Sequence, residues 1–136
     1  MPQYMLDIDT VSYFVRGQTP ALDARMATVS PKQLCISAVT RGELLNGLQL
    51  KDGAHRLNQL VDHFLLRVQC VPWDEVAATH FASIAATLHK AGTQTGSMDA
   101  MIAGHAMAAR AVLVTNNGRH FSRVAGLTVA NWCQEH

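Results

Sequence analysis

The sequence has no apolar run that approaches the ~18 residues needed to cross a bilayer, although nearly half of its 136 residues are hydrophobic. It also lacks the layout of a secretion signal, because Pro2, Gln3 and Asp7 interrupt the opening stretch. The expectation is a cytoplasmic protein with no membrane partner. Cysteine is scarce and scattered: Cys35, Cys70 and Cys133 are odd in number, and none belongs to a C-x-x-C pair. That spacing suggests neither a disulfide framework nor a zinc site. Cys35 and Cys70 lie in apolar runs and are expected to be buried thiols. The seven histidines form no H-E-x-x-H motif. A net charge of +1 excludes a nucleic-acid coat protein but is compatible with an enzyme that grips a short piece of nucleic acid.

The length suits one domain, residues 1–136, with a sizeable core. Tyr4-Met5-Leu6 reads as a first buried strand that ends in Asp7-Ile8-Asp9-Thr10, with Asp9 or Thr10 capping a helix over 11–16 that Gly17 stops. A second helix is expected over 20–27, a second strand over 33–36, and a helix over 38–48 opened by Ser37. Apolar residues at helical spacing (Leu57, Leu60, Val61, Phe64, Leu65) predict a helix over 54–66, followed by a strand over 67–71. Asp74 or a neighbour caps a long helix through Lys90, and a polar loop over 91–96 leads to a helix opened by Ser97. That last helix is small or apolar apart from Asp99, Gly104 and His105, which marks it as a core helix. Met98, Met101 and Met107 are read as core filler, and His105 as a hydrogen-bonded core histidine. A strand over 111–114 and a short fifth strand over 127–130 complete the pattern. Strands alternating with helices imply an α/β fold, a parallel sheet of four to five strands with helices on both faces. Ligands of such sheets lie beyond the carboxyl ends of the strands.

Four acids from distant parts of the chain fall near that edge. Asp7 and Asp9 follow the first strand, Glu43 sits in the helix after the second, and Asp99 opens the helix leading into the fourth. Thr115, Asn116 and Asn117 follow that fourth strand as substrate-contacting or site-shaping residues. Unpaired acids in one cleft repel each other unless a cation joins them, and Arg41 is the only basic residue close by in sequence. An all-oxygen cluster suits Mg²⁺, with Mn²⁺ as a substitute, and such an ion activates water and stabilises charge on a phosphate. Each acid also has a plain structural reading. Asp7 serves as a turn acid, Asp9 as a helix cap, Glu43 as the partner of Thr40 in a capping box, and Asp99 as a complement to the helix dipole.

Taken together, these segments resemble the PIN-domain ribonucleases, and within them the VapC-type toxins of bacterial toxin–antitoxin pairs. Tyr4-Met5-Leu6-Asp7 is similar to the opening strand and first acid of the family. The stretch 35–44 is similar to the second motif with Glu43 as its acid, 99–106 matches the third, and 114–121 resembles the fourth. The resemblance implies a three-layer α/β/α sandwich and a Mg²⁺-dependent endoribonuclease acting on structured RNA such as a tRNA or an rRNA loop. It also implies homodimerisation, neutralisation by a VapB-type antitoxin, and operator DNA binding through that antitoxin. On this reading Asp7, Glu43 and Asp99 are catalytic and, with Asp9, hold the metal.

The chain departs from the family at two places. Asp7-Ile8-Asp9 stands where Asp-Thr-Asn is usual, and Asn117 and His120 stand where the fourth motif often carries an acid. Asp9, two residues beyond Asp7 and on the same side of an extended strand, is expected to supply the missing charge. Two other functions compete. A haloacid-dehalogenase-type phosphatase would use Asp7 and Asp9 as nucleophile and acid/base, but it needs a later Lys and later acids that this chain lacks. A degenerate PIN module would bind RNA or a partner without cutting. The apolar helices around 57–65 and 81–88 suggest a dimer or antitoxin surface.

Overall fold

The computed structural model describes residues 2–93 and 96–134. Strands β1 (Gln3–Leu6), β2 (Leu34–Ser37), β3 (Gln69–Val71), β4 (Ala111–Val114) and β5 (Val129–Ala130) form one sheet in the order β3-β2-β1-β4-β5. Every pairing is parallel; Met5 lies opposite Cys35 and Leu6 opposite Val114. The helices are α1 (Ile8–Arg16), α2 (Pro20–Thr28), α3 (Ala38–Gln49), α4 (His55–Arg67), α5 (Glu75–Lys90), α6 (Ser97–Ala108) and α7 (Gly118–Phe121), with a short 3₁₀ turn over Pro31–Gln33. This is the expected α/β/α sandwich with helices on both faces of a parallel sheet.

Side chains of a strand alternate between faces, and the core divides accordingly. Leu6, Leu34, Ile36 and Val114 face one way and pack with Val11, Leu22, Leu44, Val61 and Phe64 from α1 to α4. Met5, Cys35, Ala111 and Leu113 face the other way and pack with Ile84, Leu88, Ile102, Ala103 and Ala106 from α5 and α6. The apolar stripes of α4 and α5 therefore mostly cover the sheet. Leu66 is left 85% exposed, and Leu50, Val76 and Met98 are also exposed.

Local chemistry sets the helix starts. Ser37 accepts from the Val39 N–H and Asp74 from the Ala77 N–H, as expected. The first helix departs from expectation. It begins at Ile8, and its cap is Asp7, whose Oδ1 accepts the Thr10 N–H at 2.9 Å. Neither Asp9 nor Thr10 is the cap, because the chain turns directly at the end of β1. Gly96, not Ser97, is the N-cap residue of α6, with no side-chain hydrogen bond. Thr40 lies inside α3, so Thr40 and Glu43 form no capping box. Cys35 is buried but Cys70 is exposed, since β3 is an edge strand lacking cover there. Met98 is likewise exposed and not core filler. The polar loop expected over 91–96 lies partly outside the described residues.

Helices α5 and α6 pack against each other at an unusually close crossing. A Cβ on Gly104 would lie 2.7 Å from the Phe81 nitrogen and 2.9 Å from its Cα. Both are backbone atoms, which cannot swing aside as a side chain can. The Trp73 indole N–H donates to the Met101 carbonyl at 3.1 Å and packs edge-on against Phe81, locking the same junction. Alanine would gain about 1 kcal/mol of helix propensity at position 104, but overpacking costs roughly 1–3 kcal/mol. Gly104→Ala is therefore expected to lower the urea midpoint. An unchanged or higher midpoint would mean that the helices separate at no cost.

Candidate functional site

The strand order reverses direction between β1 and β4: β1 connects onward to β2 on one side, and β4 to β5 on the other. A crevice opens at the carboxyl ends of strands at such a point. Asp7 sits there, with its N–H on the Val114 carbonyl at 3.0 Å. It is only 6% exposed. Burial raises its pKa; hydrogen bonds from the Thr115 hydroxyl and from Thr10 oppose the rise, and the charge of Asp9 adds to it. Thr115 is fully buried and accepts the Asn117 N–H at 3.0 Å, which leaves its own proton for Asp7. Thr10 also donates its hydroxyl to the Val114 carbonyl at 3.2 Å.

Glu43 enters from α3 and is half-buried. Its pKa is raised first by burial, then by Asp99, Asp9 and Asp7 in that order. The four acids singled out in the sequence therefore share one electrostatic neighbourhood. Asp9 reaches it from the exposed first turn of α1. Because residue 9 is already helical, the same-side argument from an extended strand does not hold; Asp9 takes part through its charge. Asp99 projects from the first turn of α6.

Asn116 turns away, accepting from the Asn131 side-chain amide at 3.1 Å. Asn117 precedes α7 without a side-chain cap, and its carbonyl accepts the His120 N–H at 3.1 Å. Of the three residues expected after β4, only Thr115 thus joins the acids through its side chain. Two groups at or behind the site were not singled out as members of it. His120 lies with its Nε2 at 3.0 Å from Asp99 Oδ2; its place in the fourth-motif stretch was the available signal. Ser37 meets His105 Nδ1 at 2.7 Å behind the site, tying the end of β2 to the middle of α6.

All four acids and the threonine offer oxygen, the donor set of a hard divalent ion. Burial and mutual repulsion have already raised two of the carboxyl pKa values, and a bound cation would reverse both effects. Among the described residues, no three acidic, His or Cys side chains close around a single point.

The model of the PIN domain family matches residues 4–127. The chain belongs to the PIN domain family. Within it, the chain is 34% identical over 133 residues to a tRNA(fMet)-specific endonuclease VapC of Salmonella typhimurium, covering 98% of this chain and all of the relative. It is 33% identical to ribonuclease VapC2 of Haemophilus influenzae, covering 97% and 99%. Among solved structures, the DNA-bound VapBC complex of S. typhimurium contains a chain that superposes with a TM-score of 0.91 at 34% identity, covering 98% of this chain and 100% of that one. VapBC2 of Rickettsia felis, bound to a promoter DNA fragment, superposes at 0.88 with 25% identity, covering 95% and 98%. The family match overturns the phosphatase reading.

His105 makes the brace behind the site sensitive to acid. Burial lowers its pKa, only partly offset by the Asp74 charge and a hydrogen bond to the Pro72 carbonyl. In the unfolded chain it titrates near 6.5, so below that pH the unfolded state binds more protons and stability falls with pH. A plot of urea midpoint against pH is expected to drop from pH 7 to pH 5.5. His105→Gln is expected to start lower and to have a shallower slope over this window; an equal slope would remove His105 as a cause.

Proposed function

We propose that this chain is a VapC-type, divalent-metal-dependent endoribonuclease, the cytoplasmic toxin of a toxin–antitoxin pair, and that residues 1–136 act as one domain. The observation that carries the reading is the gathering of Asp7, Asp9, Glu43 and Asp99 at the β1/β4 crevice, with burial and mutual charge holding the Asp7 and Glu43 pKa values up. Asp7, Glu43 and Asp99 would hold the metal, and Asp9 would add a fourth negative charge from α1. When bound, Mg²⁺ or Mn²⁺ supplies Lewis acidity toward a phosphate oxygen and lowers the pKa of its water.

The chain's own groups do the rest. Thr10 and Thr115 fix the Asp7 carboxylate in one orientation before any ligand arrives, so no reorganisation is required of it. Thr10 and Thr115, which flank the Asp7 carboxylate, are fully buried, and a low local dielectric strengthens interactions with a bound ion. The exposed Arg16, which shares a groove with Glu43, and the exposed Arg41, two residues before Glu43, are available to RNA phosphates. RNA is the proposed substrate, in the structured class that includes tRNA, as in the tRNA(fMet)-specific relative.

A VapB-type antitoxin is the proposed partner, with operator DNA reached through it, as the DNA-bound VapBC complexes of S. typhimurium and R. felis suggest. A homodimer is also proposed, formed through helical surface that includes the exposed Leu66.

Asp99→Asn keeps the shape of the side chain and removes its charge. Cleavage of RNA by the purified protein is expected to fall on the order of a hundredfold or more, with unchanged far-UV circular dichroism. Wild-type cleavage by folded Asp99→Asn protein, or failure of EDTA to stop the wild type, would leave a PIN module that binds without metal-dependent cutting.

Mg²⁺ is also expected to raise the thermal midpoint of the wild type, because binding to the folded state alone stabilises it. Raised carboxyl pKa values favour the folded state at low pH and oppose it as pH rises through them. Cation relief should therefore be larger at pH 7.5 than at pH 5. Asp9→Asn is expected to weaken the thermal response without removing it, whereas an identical Mg²⁺ titration would confine Asp9 to the helix surface.

A further inference from the structure

We propose that His120 is a ligand of the same metal that Asp99 holds, which makes the centre a mixed nitrogen–oxygen site for a six-coordinate first-row transition ion. The inference rests on the reading of Asp99 as a metal residue and adds a donor of a different kind. The imidazole Nε2 lies 3.0 Å from Asp99 Oδ2, yet this nitrogen is buried and makes no hydrogen bond among the described residues. The two atoms are at contact distance but out of line for N–H···O. A buried nitrogen left without a partner is unfavourable, so the position calls for a group from outside the described residues.

The separation itself is informative. Two adjacent ligands of an octahedral ion, each at ~2.1 Å, lie about 3.0 Å apart. Around a tetrahedral ion with bonds of the same length they would lie about 3.4 Å apart. The observed pair is compatible with two adjacent positions of an octahedral ion.

The backbone supports the placement. The His120 N–H is bonded to the Asn117 carbonyl, the next residue, Phe121, is anchored in the core at 2% exposure, and its ring meets the imidazole edge-on at 5.9 Å. The imidazole is thus held over Asp99 from the β4 side, while Glu43 faces Asp99 from α3 closely enough for the Asp99 charge to raise its pKa. Imidazole is a poor partner for Mg²⁺ and a good one for transition ions. A site using His120 therefore discriminates between Mn²⁺ and Mg²⁺ where an all-carboxylate site would not.

The test uses the purified protein with Mn²⁺ and Mg²⁺ as probes, by calorimetric titration and by pulsed electron paramagnetic resonance of bound Mn²⁺. The wild type is expected to bind Mn²⁺ more tightly than Mg²⁺ and to give a ¹⁴N coupling from a coordinated imidazole. His120→Ala and His120→Gln are expected to lose that coupling and to weaken Mn²⁺ binding on the order of tenfold, and Mg²⁺ binding by less. The Gln variant, which retains bulk over Asp99, separates lost coordination from lost packing. Asp99→Asn is expected to lose both the coupling and the binding. Bound Mn²⁺ without a His120-dependent nitrogen coupling would overturn the proposal and leave the carboxylate site standing. Absence of binding of either ion to the wild type would overturn both.

Discussion

A carboxylate buried at the end of the central strand is the constraint around which the rest is arranged. Asp7 ends β1, caps α1, and lies against Thr115 at the end of β4, so one side chain joins three elements at the point where the sheet changes direction. Burial of an acid is unfavourable unless its oxygens are satisfied. The two threonines supply that satisfaction and also fix the direction in which the remaining acceptor capacity points. Glu43 and Asp99 then need only be brought to the rim, and they are less buried for that reason.

The second requirement is a rigid back wall. Asp99 opens α6, and α6 is held by the Gly104 crossing with α5, by the Trp73–Met101 hydrogen bond, and by the His105–Ser37 contact. Ser37 accepts the Val39 N–H, so its hydroxyl proton is free for His105 Nδ1; the other ring nitrogen then carries its proton toward the Pro72 carbonyl. One neutral histidine thereby links the carboxyl ends of β2 and β3 to the helix that carries Asp99. A charged histidine in that place would require the Ser37 hydroxyl to turn its own proton away and accept instead.

The layered fold was legible because its signals repeat: short apolar runs, helical stripes, and acids just past strand ends. The convergence of Asp7, Glu43 and Asp99 followed from the rule that parallel sheets bind at their carboxyl edge. The misreadings share a cause. The choice of Asp7 over Asp9 as cap, and the exposure of Cys70, depend on where a strand stops and on which strand lies at the edge. Composition does not encode either. Gly104 looked like an ordinary interruption of a helix, because its role is set by the Phe81 backbone on another helix. His120 was read as a missing acid, since spacing alone does not disclose that its ring returns to Asp99 from another element.

The two margins of the sheet are unequal to its centre. β3 has three residues and β5 two, against four in each of the inner strands. So short a ladder gives an incoming extended peptide few unpaired backbone groups to grasp, a common defence against edge-to-edge association. Margins this short leave less for an added strand to hold, in sequence-blind hydrogen bonds, than the outer helices offer in side chains, where shape and apolar contact discriminate.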